Sequence, residues 1–174
     1  MNKILIFPEP FRIKNPTCDE QNSYLIPLWM DESAMNGIDS FVEVNTLQEA
    51  DYGKEIRRII TEHNPNWVIA LGESATACIN LYRQKKILVN PTVTFNNLNN
   101  VPEYARQHTF GFFSALPKQE KSYELFQTVY PNTAWYLNVS KLRLIDIKDV
   151  VLEIVNSIIS VSYTHLRAHE TLRH

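Results

Sequence analysis

The feature that most constrains this chain is an unbroken apolar run, Trp67–Leu71, which is followed at once by Gly72. The run has the length of a strand and no alternation of apolar and polar residues, as is typical of a strand buried on both faces of a parallel sheet. After it, apolar residues recur at helical spacing between positions 75 and 82. The chain is therefore predicted to pass from a central strand into a helix, with Gly72, Glu73 and Ser74 at the corner.

Further strands and helices are predicted to alternate along the rest of the chain. Short apolar segments predict strands, and amphipathic segments with a 3.6-residue period predict helices. Strands that alternate with helices imply a parallel sheet covered on both faces. The predicted fold class is therefore α/β, a three-layer sandwich with a mainly parallel sheet. The other strands are predicted at 3–7, 40–45, 87–91, 109–114 and 133–138. The helices are predicted at 48–63, 75–82, 122–130 and 145–159. The basic residues of 84–86 are expected to close the helix at 75–82.

Length, charge and cysteine content exclude several classes of function. The 174 residues fit one compact domain, and a net charge of −2 provides no basic surface for nucleic acid or an anionic membrane. No apolar run approaches the roughly 20 residues that span a bilayer. The two cysteines, Cys18 and Cys78, match neither a disulfide framework nor a metal-binding spacing. We expect a cytoplasmic protein without cofactor or metal, and with neither nucleic acid nor a membrane as its partner.

The end of the chain differs from the rest. Residues 161–174 follow a complete predicted helix and contain three of the five histidines. We expect them to be a non-native tail, so that a single domain comprises residues 1–160. The alternative is a genuine basic tail, in which His165 and His169 are spaced to lie on one helix face. Two histidines without a third ligand do not define a metal site.

Ser74 is the residue at the predicted corner that can carry chemistry. A serine on a sharp turn from strand to helix is held exposed above the sheet, which is the geometry of the nucleophile elbow G-x-S-x-G. In this chain Gly72 and Ser74 match the first two fixed positions, and Thr76 replaces the last glycine. The motif is therefore incomplete.

Three segments taken together resemble a known family. They are the strand and corner at 67–77, the sequence Ile-Leu-Val-Asn-Pro-Thr-Val at 87–93, and Phe-Gly-Phe-Phe at 110–113. The combination resembles the small YqiA-like esterases, compact α/β-hydrolases in which a strand ending in Val-Asn-Pro follows one helix after the serine elbow. The resemblance covers roughly residues 1–159. It implies an α/β-hydrolase-like fold and a serine hydrolase that acts on small esters.

Carried over onto this sequence, the resemblance assigns part of a catalytic site. Ser74 matches the nucleophile, and the backbone N–H of Ala75 would donate a hydrogen bond to the oxyanion. The family's oxyanion loop after the first strand reads Phe-Pro-Glu-Pro here, at 7–10, and the two prolines have no N–H to donate. The expected acid is missing after 110–113, where the chain reads Ser-Ala-Leu-Pro-Lys. The expected histidine is missing after the last strand, where the chain reads Asn-Val-Ser-Lys-Leu-Arg.

A serine hydroxyl is a poor nucleophile without a base to take its proton. His63 and His108 both precede their strands and are expected at the wrong end of the sheet. Lys141 lies near the place of the missing histidine, and serine–lysine pairs exist as convergent variants. The sequence therefore favours a catalytically degenerate pseudo-hydrolase with an unidentified protein partner. The alternative is an active serine hydrolase of small ester or thioester substrates that uses Ser74 with Lys141 as a non-standard base.

Overall fold

The computed structural model describes residues 2–7, 38–43, 52–115, 117–139, 142 and 144–156. These residues form one six-stranded sheet in which every neighbouring pair of strands is parallel. The strands are β1 (Asn2–Phe7), β2 (Ile38–Glu43), β3 (Trp67–Leu71), β4 (Lys85–Val89), β5 (Thr109–Ser114) and β6 (Ala134–Leu137). The α-helices are α1 (Tyr52–His63), α2 (Glu73–Cys78), α3 (Pro117–Val129) and α4 (Lys148–Asn156), and short 3-10 helices span Asn96–Leu98, Glu103–Gln107 and Leu144–Ile147.

The sheet separates two hydrophobic core layers. Successive side chains of a strand point to opposite faces, so Ile4 and Ile6 of β1 belong to one layer, whereas Leu5 and Phe7 belong to the other. The first layer packs against α4, and the second packs against α1, α2 and α3. Each large apolar side chain buried in this way stabilises the fold by about 1.5–3 kcal/mol. The predicted α/β three-layer sandwich with a parallel sheet is confirmed.

The order of the strands is β2-β1-β3-β4-β5-β6. The chain moves from β1 to β2 on one side and then returns to place β3 on the other side of β1. In doubly wound sheets, ligands bind at such a reversal, in the crevice outside the carboxyl ends of the strands. The strands on the two sides of this reversal are β1 and β3, and the corner that begins at Gly72 directly follows β3.

A glycine in the middle of β5 allows α3 to pack close to the sheet. A Cβ atom added to Gly111 would lie 2.6 Å from Cε1 of Phe126 and 2.9 Å from Cε2 of Phe113, closer than carbon atoms approach. Phe126 is fully buried, and its ring stacks on Tyr130 with 4.4 Å between centroids. Trp67, Trp135 and the phenylalanines of β5 are all buried and belong to the core.

One predicted element is wrong. Lys85 and Lys86 do not close the helix after the corner, because α2 ends at Cys78 and both lysines belong to β4. The register of the sheet explains the difference, since Lys85 and Lys86 pair with Trp67 and Val68 of β3. The predictions for residues 161–174 lie outside the described residues. In the described part of the chain, no helix has the length and apolar character needed to cross a membrane.

Candidate functional site

The sharp turn between β3 and α2 is made by Gly72 alone. Gly72 has φ 59° and ψ −123°, a backbone conformation that residues with a Cβ atom rarely adopt. Its N–H donates to the carbonyl oxygen of Val89 at 2.9 Å, which continues the contact between β3 and β4 by one residue. The helix begins at the next residue, Glu73. The strand-to-helix elbow is therefore present, and the residue at its apex has no side chain.

The position expected for Ser74 is wrong. Ser74 is not on the turn: it lies two residues beyond Gly72, in the first turn of α2, and its side chain is fully buried. In a nucleophile elbow the serine itself occupies the strained turn, which exposes its hydroxyl above the sheet. The spacing of glycine and serine in the motif predicts the turn at Ser74, whereas the backbone makes the turn two residues earlier, at Gly72.

The oxyanion role expected for Ala75 changes for the same reason. In an elbow the donor is the backbone N–H of the residue that follows the turn residue. Here that residue is Glu73, whereas Ala75 lies further along α2 with its methyl group fully buried in the core layer beneath the helices. The structure thus separates Ala75 from the position that the resemblance assigns to it.

Thr76, which replaces the last glycine of the motif, ties the elbow to the next loop. Its hydroxyl donates to the carbonyl oxygen of Gly72 at 3.3 Å and accepts the backbone N–H of Thr92 at 2.8 Å. A glycine at this position could make neither bond. The substitution that makes the motif incomplete therefore supplies a structural contact between α2 and the segment after β4.

Asn90 and Ser114 close the same edge of the sheet between β4 and β5. Asn90 has a positive φ of 51°, which asparagine tolerates better than most residues. Its side-chain oxygen accepts the backbone N–H of Ser114 at 2.8 Å, and its amide donates to the Ser114 hydroxyl at 3.1 Å. Ser114 is fully buried and begins the segment where the resemblance expects the acid. Between β4 and β5, the described residues Asn90 and Ser114 are therefore neutral hydrogen-bonding groups at the place where the acid is expected.

The candidate bases are either outside this edge or outside the described residues. His63 ends α1 just before β3, and His108 directly precedes β5, so both lie at the amino-terminal edge of the sheet as predicted. Burial lowers the pKa of His108, which keeps its imidazole neutral over a wider pH range. Lys141 and the segment 8–10, which contains two prolines, lie outside the described residues, and the role of Lys141 stays a prediction.

Lys86 is a buried cation that the sequence analysis missed. It is the second residue of β4, and its side chain has no exposed surface. Its ammonium donates to the carbonyl oxygens of Leu81 at 2.9 Å and Gln84 at 3.3 Å, and to the hydroxyl of Thr109 at 2.9 Å. Burial lowers the pKa of Lys86 to about 8, although nearby Cys78 opposes this shift. The clue in the sequence was its place one residue before the apolar run Ile87-Leu88-Val89.

Cys78 and Tyr130 are two further buried titratable groups. Burial raises the pKa of the Cys78 thiol to about 12, so this cysteine stays protonated at neutral pH, and Lys86 only partly opposes the shift. Burial likewise raises the pKa of Tyr130 to about 12. Among the residues described, no three histidine, cysteine or acidic side chains come together as metal ligands would. The Cys78 thiol is therefore a neutral neighbour of the buried ammonium.

Comparisons with known proteins identify no relative: the chain matches no family model, no curated protein and no solved structure.

Proposed function

We propose that this protein is a non-catalytic member of the α/β-hydrolase-like proteins, related to the small YqiA-like esterases, and that it acts by binding. The observation that carries the proposal is the glycine at the apex of the elbow. Gly72 occupies the turn at which an active serine hydrolase holds its nucleophile. A nucleophile needs a reactive side chain at this apex, and glycine provides none.

The surroundings of the elbow support the same proposal. Ser74 is the serine nearest to the apex in the chain, and its complete burial in α2 keeps an ester from its hydroxyl. The place of the acid is taken by Ser114, whose N–H and hydroxyl are bound to Asn90. Hydrolysis of an ester by a serine also needs a base and oxyanion donors in fixed positions. At this edge, the hydrogen bonds of Thr76 and Asn90 instead connect α2 with the segment after β4, and the end of β4 with the end of β5.

Labelling with a fluorophosphonate probe tests the proposal, because the probe reacts covalently with activated serine hydroxyls. Wild type, Ser74→Ala and Ser114→Ala are compared, the last serving as the control for a buried serine at the same edge. We expect equal background labelling of all three proteins. We also expect hydrolysis of p-nitrophenyl butyrate by wild type to be no faster than by Ser74→Ala.

Labelling of wild type and Ser114→Ala that disappears in Ser74→Ala would overturn the proposal. It would establish the alternative, an active serine hydrolase in which α2 moves to expose Ser74. Lys141→Met in the same experiment would then show whether this lysine serves as the base, since only loss of a base would shift the pH dependence of labelling.

A further inference from the structure

A cleft of about 510 Å³ lies at the amino-terminal edge of the sheet, opposite the elbow. It is bordered by the second half of α1, by the segment between α2 and β4, and by the 3-10 helix Glu103–Gln107. Its volume is within the range of sites that hold small molecules, about 300–1,000 Å³. The lining residues that could contact a ligand through charged, amide or aromatic side chains are Arg57, Arg83, Asn80, Tyr82, Gln84 and Tyr104.

The charge of this cleft is positive. Arg57 and Arg83 are exposed, and neither forms an ion pair with a described residue. None of the described residues that line the cleft is acidic. The next residue of α1, Arg58, lies outside the cleft and is paired with Glu62 at 2.6 Å and with Glu55 at 3.7 Å. The two cleft arginines thus differ from their neighbour in having guanidinium groups available for an anion.

Lys86 adds a third positive charge behind the wall of the cleft. Its buried ammonium is bonded to the carbonyl oxygens of Leu81 and Gln84, two residues that line the cleft. These bonds anchor the backbone of the wall from the inside. They also place a cation in a poorly solvated position, from which its field reaches the cleft with little screening. No carboxylate among the described residues is bonded to this ammonium.

Two tyrosines give the cleft a preference for ligands with a planar group, in addition to the preference of its arginines for anions. Tyr82 and Tyr104 both line it, and Tyr104 is 50% exposed. Tyrosine rings pack against planar groups, and the guanidinium fork of arginine matches the oxygens of a phosphate or carboxylate. We propose that this cleft is a binding site for a small anion that carries a planar aromatic group. The inference goes beyond the proposed function and does not depend on it, because the cleft and the elbow lie at opposite edges of the sheet.

Titration of the whole protein with phenyl phosphate, followed by amide chemical shifts, tests this site. We expect saturable binding with a Kd on the order of 0.1–1 mM, as for a ligand of this size. The shifted amides should belong to residues 80–84 and to Tyr104, with the elbow unaffected. Benzoate in place of phenyl phosphate distinguishes a carboxylate ligand from a phosphate ligand, and either result supports an aromatic anion. Benzyl alcohol, which is neutral and similar in shape, should not bind.

Variants of adjacent arginines provide the matched control. Arg57→Gln and Arg83→Gln should each weaken binding of phenyl phosphate about tenfold, because each removes a charge-assisted hydrogen bond. Arg58→Gln should change the Kd less than about twofold, because an exposed charge outside the cleft is screened. All three arginines are exposed, so the variants should remain folded.

Three results would overturn the inference. The first is no saturation of wild type up to roughly 10 mM phenyl phosphate, a weaker affinity than a built site provides. The second is equal weakening by Arg58→Gln and Arg57→Gln, which would indicate attraction to the whole surface. The third is equal binding of benzyl alcohol, which would show an apolar pocket without selectivity for charge.

Discussion

The two edges of the sheet differ in the kind of group that they hold. At the carboxyl edge, Thr76 is hydrogen-bonded to Gly72, and Asn90 is hydrogen-bonded to Ser114, in both cases through neutral groups. At the amino edge, a buried ammonium is held by carbonyl oxygens beneath a cleft whose two arginines form no ion pair with a described residue. Doubly wound sheets ordinarily bind their ligands at the carboxyl edge. Among the described residues, hydrogen bonds between Asn90 and Ser114 clamp the carboxyl edge, and the cleft that contains Arg57 and Arg83 lies at the other edge.

Replacing Asn90 breaks the clamp and has the largest expected effect. Asn90→Ala should lower the free energy of unfolding by about 3 kcal/mol, because a buried N–H of Ser114 loses its acceptor and alanine is strained at positive φ. Asn90→Gly tolerates that backbone conformation and should lose about 2 kcal/mol from the hydrogen bonds alone. Urea unfolding measures both. An Asn90→Gly variant as stable as wild type would show that the clamp contributes nothing.

Gly72→Ala tests the elbow itself. The alanine would have to adopt φ 59° and ψ −123°, so we expect a loss of about 2 kcal/mol in the free energy of unfolding. Gly53→Ala is the control, because a Cβ there meets nothing closer than 3.9 Å and the helix should gain about 0.5–1 kcal/mol. If Gly72→Ala were tolerated as well as Gly53→Ala, the turn would not be strained, and the assignment of the elbow to Gly72 would be refuted.

The pH dependence of stability tests the amino edge. Between about pH 8 and 9 the unfolded chain keeps Lys86 protonated, whereas the folded protein, in which its pKa is about 8, releases the proton. The unfolded state then binds more protons, so stability should rise with pH, by about 1 kcal/mol over this unit. Above pH 9 the rise should stop, because the unfolded Cys78 thiol ionises while burial keeps the folded thiol protonated.

Two variants check this assignment in chemical denaturation at several pH values. Lys86→Met should remove the rise between pH 8 and 9, whatever its effect on stability at neutral pH. Cys78→Ala should keep the rise and extend it above pH 9, because the opposing group is gone. A rise that persists unchanged in Lys86→Met would assign it to another group.

The smallest expected effect on stability is that of replacing a cleft arginine, which should weaken binding of the anion without changing the free energy of unfolding. Arg57→Gln should leave the free energy of unfolding unchanged within about 0.5 kcal/mol, because Arg57 has no ion pair among the described residues. Arg58→Gln should lower it by about 0.5 kcal/mol through loss of its exposed pairs with Glu55 and Glu62. Thermal unfolding of both variants is sufficient. A larger loss in Arg57→Gln would show that this arginine has a structural role instead.

Much of the fold could be predicted from individual apolar segments of the sequence, whereas the position of Ser74 relative to the turn and the burial of Lys86 could not. The strand at 109–114 was predicted with its observed limits, and Trp67–Leu71 was correctly placed in the sheet, because continuous apolar runs report burial on both faces. The prediction for Ser74 failed because a motif identifies residue types and their spacing, whereas the turn is placed by backbone dihedral angles. Lys86 was missed because lysine is almost never fully buried, so its type predicts a surface position.

The amino-acid sequence by itself determined the α/β class and the composition of the core, because the burial of apolar segments depends on local pattern. Only the tertiary structure decided which residue makes the elbow, since this depends on where the pairing of β3 with β4 ends, at the bond from Gly72 to Val89. It also decided the environment of Lys86. The acceptors of this ammonium include Thr109, which lies 23 positions away in the chain and becomes its neighbour only when β4 and β5 pair.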